Sequence, residues 1–253
     1  MNKKISGCIV TYNNIATIDN ALGSLLKCTE VPFQLYVVDN GSTDGTVEHI
    51  EKNYPDVIVI KSEKNLGFGA GHNLILDRLD SDYHAIINPD IIVKDDVIAK
   101  LASFLNNNGD IGMASPEIRF PDGRTQILGK RNPCPAYLIA SRLRGSGEPS
   151  KLLRKYAMLD CDLSKPINIE NATGCFMFIR TKLFKEIGGF DKRYFMYFED
   201  CDLSREVNQR CRTVYYPNAT VYHEWGRESK KNYKLALIQL KSMFSYYKKW
   251  GLK

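Results

Sequence analysis

The sequence has no uncharged apolar run of the roughly 20 residues that a membrane-spanning helix needs. Its first residues, MNKKISGCIVTYNN, contain two lysines but only a short apolar segment, too short for the core of a signal peptide. No internal repeat or low-complexity segment is visible either. We therefore expect a globular protein, and 253 residues are enough for one large domain or for one domain with an appended segment.

Paired cysteine motifs are also missing. The seven cysteines are odd in number, and none of them forms a CxxC pair or shows the spacing of a metal-binding cluster. A reduced, cytoplasmic protein fits this cysteine pattern best.

The GxGxxG fingerprint of dinucleotide-binding proteins is absent. The stretch NLGFGAGHN has its glycines at 67, 69 and 71, which is a different spacing, and it does not follow the first predicted strand. This mismatch argues against an NAD- or FAD-binding protein. A loop whose backbone contacts some other ligand is still compatible with the pattern.

Acidic residues are scarce in two segments of a chain whose net charge is +6. Residues 119–165 hold ten bases and four acids, and residues 227–253 hold eight bases and one acid. The rest of the chain has seventeen bases and twenty-four acids. An acidic body with two basic segments indicates a local anionic partner. Because no recognition motif for nucleic acid accompanies these segments, nucleic acid is not the expected partner.

Short β-rich runs alternate with helical patterns in the first half of the chain. Strands are predicted at 5–12, 34–40, 57–62 and 83–90, and helices at 18–26, 44–53, from about 69, and at 95–106. This alternation predicts an α/β fold with a mostly parallel central sheet flanked by helices.

The second half is less regular. Residues 120–149 form a long excursion of a kind that is usually functional or disordered. A strand and a helix are predicted over 172–190, a helix within 194–210, and one or two short strands over 212–227 that end at His223.

Polar clusters follow the first four predicted strands: TYNN, DNGSTDGT, NLGFGAGHN and NPD. Because ligands of open α/β sheets bind at the carboxyl ends of strands, these clusters predict one cleft. Asp39 is compatible with a strand-ending turn and with a carboxylate that accepts hydrogen bonds from a base or ribose. Asp90 lies between apolar runs in AIINPDIIV, where a carboxylate either caps a turn or needs a cation.

The acidic group FEDCDL contains Glu199, Asp200 and Asp202. Acids in the first turn of a helix complement its dipole, which is the simplest explanation of this group. Five aromatic residues between Phe190 and Phe198, however, predict an apolar wall beside these carboxylates. Burial raises the pKa of a carboxyl group and makes it a better base.

The chain resembles the family 2 glycosyltransferases of the GT-A fold in features that follow in the expected order from Ile5 to about Gly226: VTYNN, VDNGSTDGT, NLGFGAGHN, NPD, ATGCFMFIR, GGFDKRYFMYFEDCDL and a later histidine. NLGFGAGHN, NPDIIV and FMYFEDCDL are similar to bacterial dTDP-rhamnosyltransferases, which build O-antigen and related cell-surface polysaccharides. The resemblance implies a catalytic domain over 1–226, with a nucleotide-sugar half at 1–118 and an acceptor half at 119–226.

The resemblance also implies roles for single residues. Asp90 matches the last acid of the family's DxD metal motif, whose first position is Asn88 here, and His223 matches a later metal ligand. Such a sparse site suits Mg²⁺ or Mn²⁺, whose other ligands are phosphates and water. Asp200 matches the catalytic base of an inverting displacement, and Glu199 is expected to orient the acceptor or the base.

Residues at the family's nucleotide-binding positions are Thr11, Tyr12, Asn13, Asp39, Asn40, Asn65 and Gly67, together with Asn88 and Asp90. The expected donor is dTDP-L-rhamnose, and the expected acceptor is a hydroxyl of a polyprenyl-diphosphate-linked glycan. A UDP-sugar donor stays open, because these residues do not separate thymine from uracil. A non-catalytic sugar-nucleotide- or glycan-binding relative is a further alternative, although it would have no need for Asp200.

The tail, residues 227–253, predicts a basic amphipathic helix. Its apolar stripe, at 4-3-4-3 spacing, consists of Tyr233, Leu237, Leu240, Phe244 and Tyr247. Its separate basic edge consists of Lys234, Lys241 and Lys248. The helix either packs on the catalytic domain or lies on the anionic inner leaflet of the membrane, and different faces allow both. The expected location is therefore the cytoplasm, with peripheral contact at the inner face of the membrane.

Overall fold

The computed structural model describes residues 3–143, 147–224 and 233–252. The strands are β1 (Ile5–Thr11), β2 (Phe33–Asp39), β3 (Ile58–Lys61), β4 (Tyr83–Ile87), β5 (Ile91–Ile92), β6 (Ile111–Arg119), β7 (Ile167–Asn168), β8 (Phe176–Arg180) and β9 (Arg212–His223). The helices are α1 (Ile18–Cys28), α2 (Thr46–Asn53), α3 (Phe68–Asn73), α4 (Val97–Asn107), α5 (Pro135–Arg142), α6 (Lys151–Tyr156), α7 (Thr181–Ile187), α8 (Glu199–Asn208) and α9 (Tyr233–Trp250).

The strands form one nine-stranded sheet in the order β3-β2-β1-β4-β8-β6-β9-β5, with β7 also paired to β9. Strands β1, β2, β3, β4, β6 and β9 run in one direction, whereas β5, β7 and β8 run in the other. The α/β fold with a mostly parallel sheet is thus confirmed. The sheet is continuous across residues 118 and 119, where the sequence predicted the boundary between two halves.

Apolar side chains cover both faces of this sheet. One cluster joins β1, β4 and β8 to the buried faces of α1 and α4, and the other joins the opposite face to α7 and α8. α4 begins after Asp96, whose side chain accepts the N–H of Ala99 at 2.8 Å as an N-cap. For α1 and α4, the pattern that predicted the helix is therefore also the pattern that packs it on the sheet.

Several predicted elements differ from those observed. β4 ends at Ile87 and not at residue 90, because Pro89 cannot donate a ladder hydrogen bond. The stretch before His223 forms one strand of 12 residues and not one or two short ones. β6 was not predicted, and the excursion contains α5. The end of β4 has a local cause, whereas β6 and the full length of β9 depend on pairing with remote strands, which overrides the local pattern.

Helix α9 docks against the region around α8. Tyr246 is fully buried, and the Ser242 hydroxyl donates to the carbonyl of Met196 at 2.8 Å. The indole N–H of Trp250 donates to Asp202 Oδ1 at 2.7 Å. Ion pairs join Lys249 to three acids: Asp191 at 3.3 Å, Asp202 at 2.8 Å and Glu206 at 3.0 Å. Asp202 therefore anchors α9 in addition to its place in the first turn of α8.

The docked face of α9 is not the stripe read from the sequence. Tyr233, Leu237, Leu240 and Phe244 are 72, 60, 47 and 68% exposed, while Tyr247 packs partly against the docked cluster. The predicted helix begins at 227, but residues 225–232 lie outside the described part of the chain. None of the helices in the described ranges has the length and hydropathy to cross a membrane.

Candidate active site

The carboxyl ends of β1, β2 and β4 lie side by side at one edge of the sheet. Thr11 pairs with Asp39, and Ile9 pairs with Ile87. β8 begins at the same edge, because Phe176 pairs with Ile87 in the antiparallel register. The polar clusters that follow β1, β2 and β4 are therefore neighbours in space.

Asp39 has one carboxylate oxygen that is satisfied and one that is not. Its side chain is buried, and Oδ2 accepts the backbone N–H groups of Gly41 and Ser42, both at 2.9 Å. Oδ1 is buried and has no hydrogen-bond partner among the described residues. An unpaired buried carboxylate oxygen is costly, so this atom fits a donor group of a ligand, such as a base N–H or a ribose hydroxyl.

Asn40 and Asn65 hold the glycine-rich loop against the strand ends. The side-chain amide of Asn40 donates to the carbonyl of Gly67 at 3.0 Å, and Asn65 Oδ1 accepts the Gly67 N–H at 2.9 Å. Gly67 has φ 88°, and a Cβ atom there would overlap the carbonyl oxygen of Phe195. Only glycine fits, and the loop therefore packs directly on the segment that leads into α8.

The loop after β1 places its residues differently. Thr11 is fully buried, and its hydroxyl donates to Asn14 Oδ1 at 3.0 Å, so it braces the loop from inside. Asn13 Oδ1 accepts the N–H of Thr43 at 2.8 Å and ties this loop to the turn after β2. Tyr12, in contrast, is 48% exposed and is available to a bound ligand.

Asp90 and His223 come together through the sheet. Ile91 pairs with His223 in the antiparallel β5–β9 ladder, which brings the residue before Ile91 to the end of β9. His223 Nε2 lies 3.3 Å from Asp90 Oδ2. Asp90 Oδ1 is buried and has no partner among the described residues.

This pair fits a divalent cation held by few protein groups. The described ranges contain no group of three or more His, Cys, Asp or Glu side chains that could hold a metal alone. One imidazole nitrogen and the free oxygen of Asp90 match ligands of Mn²⁺, and phosphate and water oxygens would complete the coordination. Asn88 is close in sequence, and its backbone N–H donates to the carbonyl of Cys175 at 2.9 Å.

Glu199 and Asp200 open α8 as neighbouring carboxyl groups, with Glu199 buried and Asp200 partly buried. Asp200 Oδ2 accepts the N–H of Gly174 at 2.9 Å, and Oδ1 accepts the N–H of Cys201 at 2.8 Å. Burial raises the pKa of Asp200 despite these bonds. Burial, and then the negative charge of Asp200, raise the pKa of Glu199 to about 8. Asp200 accepts two backbone N–H bonds and is therefore the better stabilised carboxylate of the two, while the raised pKa of Glu199 favours its protonated form.

Both acidic centres lie near Cys175. Burial raises the pKa of the Cys175 thiol, and the charges of Asp90 and Asp200 raise it further. The thiol cannot serve as a ready nucleophile, because the thiolate is the reactive form. Hydrogen bonds link the two centres, since the Asn88 N–H donates to the carbonyl of Cys175 and the N–H of the preceding Gly174 donates to Asp200.

The backbone before α8 is held in an unusual conformation. Tyr197 and Phe198 have φ values of 69° and 70°, in the left-handed region that costs non-glycine residues about 1–3 kcal/mol each. Phe198 is buried and packs against Tyr246 of α9, with ring centroids 5.5 Å apart. The predicted aromatic wall thus exists and fixes the direction in which α8 starts.

Two residues of this site were not found from the sequence. Gly174 supplies the N–H that orients Asp200, and its place within the ATGC motif was the only signal. Gln126 lies in the excursion and contacts His223 through both ends of its side-chain amide. No pattern in the sequence marks Gln126.

Comparison with known sequences gives one family and several relatives. The sequence model of "Glycosyl transferase family 2" matches residues 6–188. An N-acetylglucosaminyl-diphospho-decaprenol L-rhamnosyltransferase of Mycobacterium tuberculosis is 29% identical over 245 residues, covering 85% of this chain and 74% of that protein. The dTDP-rhamnosyl transferase RfbG of Shigella flexneri is 27% identical over 131 residues, covering 48% of this chain and 45% of that protein.

Solved structures show the same fold. The mannosyltransferase PcManGT of Pyrobaculum calidifontis, in complex with GDP-Man and Mn²⁺, has a TM-score of 0.65 at 16% identity over 88% of this chain. TarS residues 1–349 of Staphylococcus aureus have a TM-score of 0.63 at 19% identity over 94% of this chain. The matched parts span 57% and 65% of those two chains. At such identities the likeness establishes the fold alone, which is GT-A.

Proposed function

The chain belongs to glycosyl transferase family 2, and on that premise we propose that it transfers L-rhamnose from dTDP-L-rhamnose to a hydroxyl of a lipid-linked glycan. The resemblance read from the sequence is confirmed, and the chain is a glycosyltransferase. One observation carries the proposal for the site: Asp90 has an unpaired buried oxygen beside His223, and adjacent residues link it to Asp200, because the Asn88 N–H donates to the carbonyl of Cys175 and the Gly174 N–H donates to Asp200. The proposed cation site and the proposed base would thus share one cleft.

The donor nucleotide is placed at the strand ends of β1 and β2. The unpaired Asp39 Oδ1 would accept a base N–H or ribose hydroxyl, and the exposed ring of Tyr12 would pack on the base. Asn40, Asn65 and Gly67 shape the edge of this pocket. The two rhamnosyltransferase relatives support the rhamnose donor, while a UDP-sugar would use the same groups.

Asp90 and His223 would hold Mn²⁺ or Mg²⁺, which supplies a Lewis acid that neutralises charge on the leaving diphosphate. Asn88 brings a neutral side chain to the position where the family motif has an acid. The site therefore contributes one carboxylate, and the diphosphate must supply the other anionic oxygens.

The transfer step uses Asp200 as the base. Its carboxylate takes the proton of the acceptor hydroxyl while that oxygen forms a bond to the anomeric carbon. The bond from this carbon to the diphosphate breaks on the opposite face, and its electron pair leaves with the nucleotide, so the configuration inverts. The N–H of Gly174 holds the Asp200 carboxylate in place, and Glu199, the neighbouring carboxyl with a raised pKa, would orient the acceptor or the base.

The test of this proposal is thermal unfolding with dTDP, UDP, GDP and CDP, each in Mn²⁺ and in EDTA. We expect dTDP with Mn²⁺ to raise the unfolding temperature most, because a ligand that binds only the native state stabilises it by mass action. A rise with UDP alone would change the donor and keep the mechanism. The absence of a rise with every nucleotide would contradict catalysis and favour a glycan-binding relative.

The outward face of α9 supports contact with an anionic membrane. Its exposed apolar side chains are Tyr233, Leu237, Leu240 and Phe244, and a row of exposed lysines, Lys234, Lys241 and Lys248, lies beside them. Apolar side chains of this kind insert into the interface, and each nearby lysine adds about 1 kcal/mol of attraction to an anionic leaflet. Two copies of this face would repel each other through the same lysines. The chemistry therefore favours an anionic lipid surface, where a polyprenyl-linked acceptor is found.

We expect the chain to co-sediment with phosphatidylglycerol vesicles and to bind pure phosphatidylcholine vesicles much less. The double variant Leu237→Glu, Phe244→Glu should bind at least about tenfold more weakly, since burying each side chain contributes about 1.5–3 kcal/mol. Leu26→Glu, at an exposed leucine of α1, is the matched control and should bind normally. Unchanged binding of the double variant would contradict the proposal, as would a concentration-dependent dimer that both substitutions disrupt.

A further inference from the structure

The buried side-chain amide of Gln126 contacts a single residue, His223, at two points. Its side chain is 2% exposed, and its Nε2 group donates to the carbonyl oxygen of His223 at 2.6 Å. Nε2 also lies 3.4 Å from the carbonyl oxygen of Arg119. Its Oε1 atom lies 3.3 Å from the ring nitrogen Nδ1 of His223. The side chain thus spans the backbone and the ring of the same histidine.

These contacts fix the orientation of the amide. If the amide were flipped, Oε1 would face the carbonyl oxygens of His223 and Arg119. None of these three oxygen atoms can donate a hydrogen bond. The observed orientation therefore stands, with Nε2 toward the carbonyls of His223 and Arg119. Oε1 faces Nδ1 and can only accept, so a hydrogen bond between them requires the proton to be on Nδ1.

Asp90 competes for the same proton. Its Oδ2 lies 3.3 Å from His223 Nε2, and a carboxylate is a stronger acceptor than an amide oxygen. If nothing held the proton at Nδ1, Asp90 would favour the tautomer protonated at Nε2. That tautomer has no lone pair on Nε2 for a metal.

We propose that Gln126 is a positioning residue that holds the His223 proton on Nδ1 and thereby keeps the Nε2 lone pair available for a divalent cation beside Asp90. The inference rests on the metal site of the proposed function. Gln126 belongs to the excursion between β6 and α5, and its backbone N–H donates to the carbonyl oxygen of Ile118 at 2.9 Å. A residue of this irregular loop therefore determines which ring nitrogen of His223 can bind metal.

The first test is the tautomer of His223 in the metal-free protein. The chain has four histidines, so ¹⁵N labelling of histidine gives a simple spectrum, and His223→Asn identifies the signals of interest. At about pH 9, well above the ordinary histidine pKa, we expect protonated Nδ1 in the wild type. In Gln126→Met, which keeps the length but loses the amide, we expect the proton on Nε2.

The second test is Mn²⁺ affinity, measured with Mn²⁺ alone by the loss of the free-ion EPR signal. Gln126→Met should bind Mn²⁺ about 10- to 100-fold more weakly, as is typical when a partner of a ligating histidine is removed. Thr125→Val is the matched control. It removes a hydrogen bond from the neighbouring residue to Glu117 without touching His223, and its Mn²⁺ affinity should equal that of the wild type.

The outcomes separate this inference from the proposed function. A wild-type His223 protonated at Nε2 would overturn the inference even if Mn²⁺ binds normally. A Gln126→Met variant that loses Mn²⁺ affinity with its tautomer unchanged would assign Gln126 a merely structural role, and this also overturns it. If the wild type and Asp90→Asn bind Mn²⁺ equally weakly, the metal site of the proposed function fails, and the metal part of the inference fails with it.

Discussion

Replacing Asp200 with asparagine should lower kcat by about 10²- to 10⁴-fold, the usual contribution of a general base. Asparagine keeps the shape of the side chain and can still accept the N–H of Gly174, which is 2.9 Å from Asp200 Oδ2. It cannot take a proton from the acceptor hydroxyl at neutral pH. Nucleotide binding, measured by the rise in unfolding temperature, should be unchanged, because the donor groups lie on β1, β2 and their loops.

Glu199→Gln is the matched control for this loss. The pKa of Glu199 is raised to about 8, so this side chain already carries a proton at neutral pH, and glutamine imitates it. We expect a loss of at most about tenfold, the value of one neutral hydrogen bond. If Glu199→Gln were as inactive as Asp200→Asn, Glu199 would have to be the base and Asp200 the orienting group. If Asp200→Asn kept wild-type turnover, Asp200 would not be the base.

The pH dependence of kcat should reflect the raised pKa of Asp200. Burial favours the neutral form, so this carboxyl keeps its proton to a higher pH than its ordinary value of 3.8. The base is active only when ionised, and activity is therefore lost as the pH falls through the raised pKa. This acid limb should disappear from the residual activity of Asp200→Asn.

Replacing Asp90 with asparagine should lower kcat/KM by about 100-fold or more in Mn²⁺. Stabilisation of a leaving diphosphate by a bound cation contributes several kcal/mol, and each 1.4 kcal/mol, roughly, is a factor of ten. The variant keeps an oxygen at the site but loses the only carboxylate that lies within 3.3 Å of His223 in the described ranges. Its activity should also depend less on added Mn²⁺, and EDTA should reduce the wild type to a similar level.

Asp95→Asn provides the comparison for this substitution. Asp95 lies five residues away, is half exposed, and pairs with Lys100 at 2.8 Å, so it is a carboxylate of the same segment outside the cleft. Its variant should have wild-type kcat/KM and wild-type Mn²⁺ dependence. Equal activity of Asp90→Asn and Asp95→Asn would contradict the cation site.

Most of the edge where the nucleotide is proposed to bind was predictable from the sequence. The β-rich runs and helical patterns predict β1, β2, α1 and α4, because the 2.0- and 3.6-residue periods are local properties of the chain. Once these elements alternate, the carboxyl ends of the strands must share an edge, and the polar clusters must lie there. The sequence therefore predicts Asp39 and Asp90 in one cleft.

The acidic pair was predictable in part. The aromatic residues around FEDCDL indicated buried carboxyl groups, and both Asp200 and Glu199 have raised pKa values. The sequence could not show which of the two keeps its proton. That depends on tertiary contacts, since the N–H of Gly174, 26 residues away in sequence, donates to Asp200, while Glu199 Oε2 has no partner among the described residues.

The sequence by itself determined the fold class, the order of the elements and the residue types that gather at the cleft. Only the tertiary structure decided that Asp90 meets His223 through β5 and β9 and that Gln126 contacts this histidine. It also decided that α9 docks through Tyr246 and leaves most of its apolar stripe exposed. The physical reason is the distance along the sequence over which each kind of interaction acts. Periodicity and turn chemistry act over a few neighbouring residues, whereas these contacts join residues 97 to 133 positions apart or depend on which helix face finds a complementary surface.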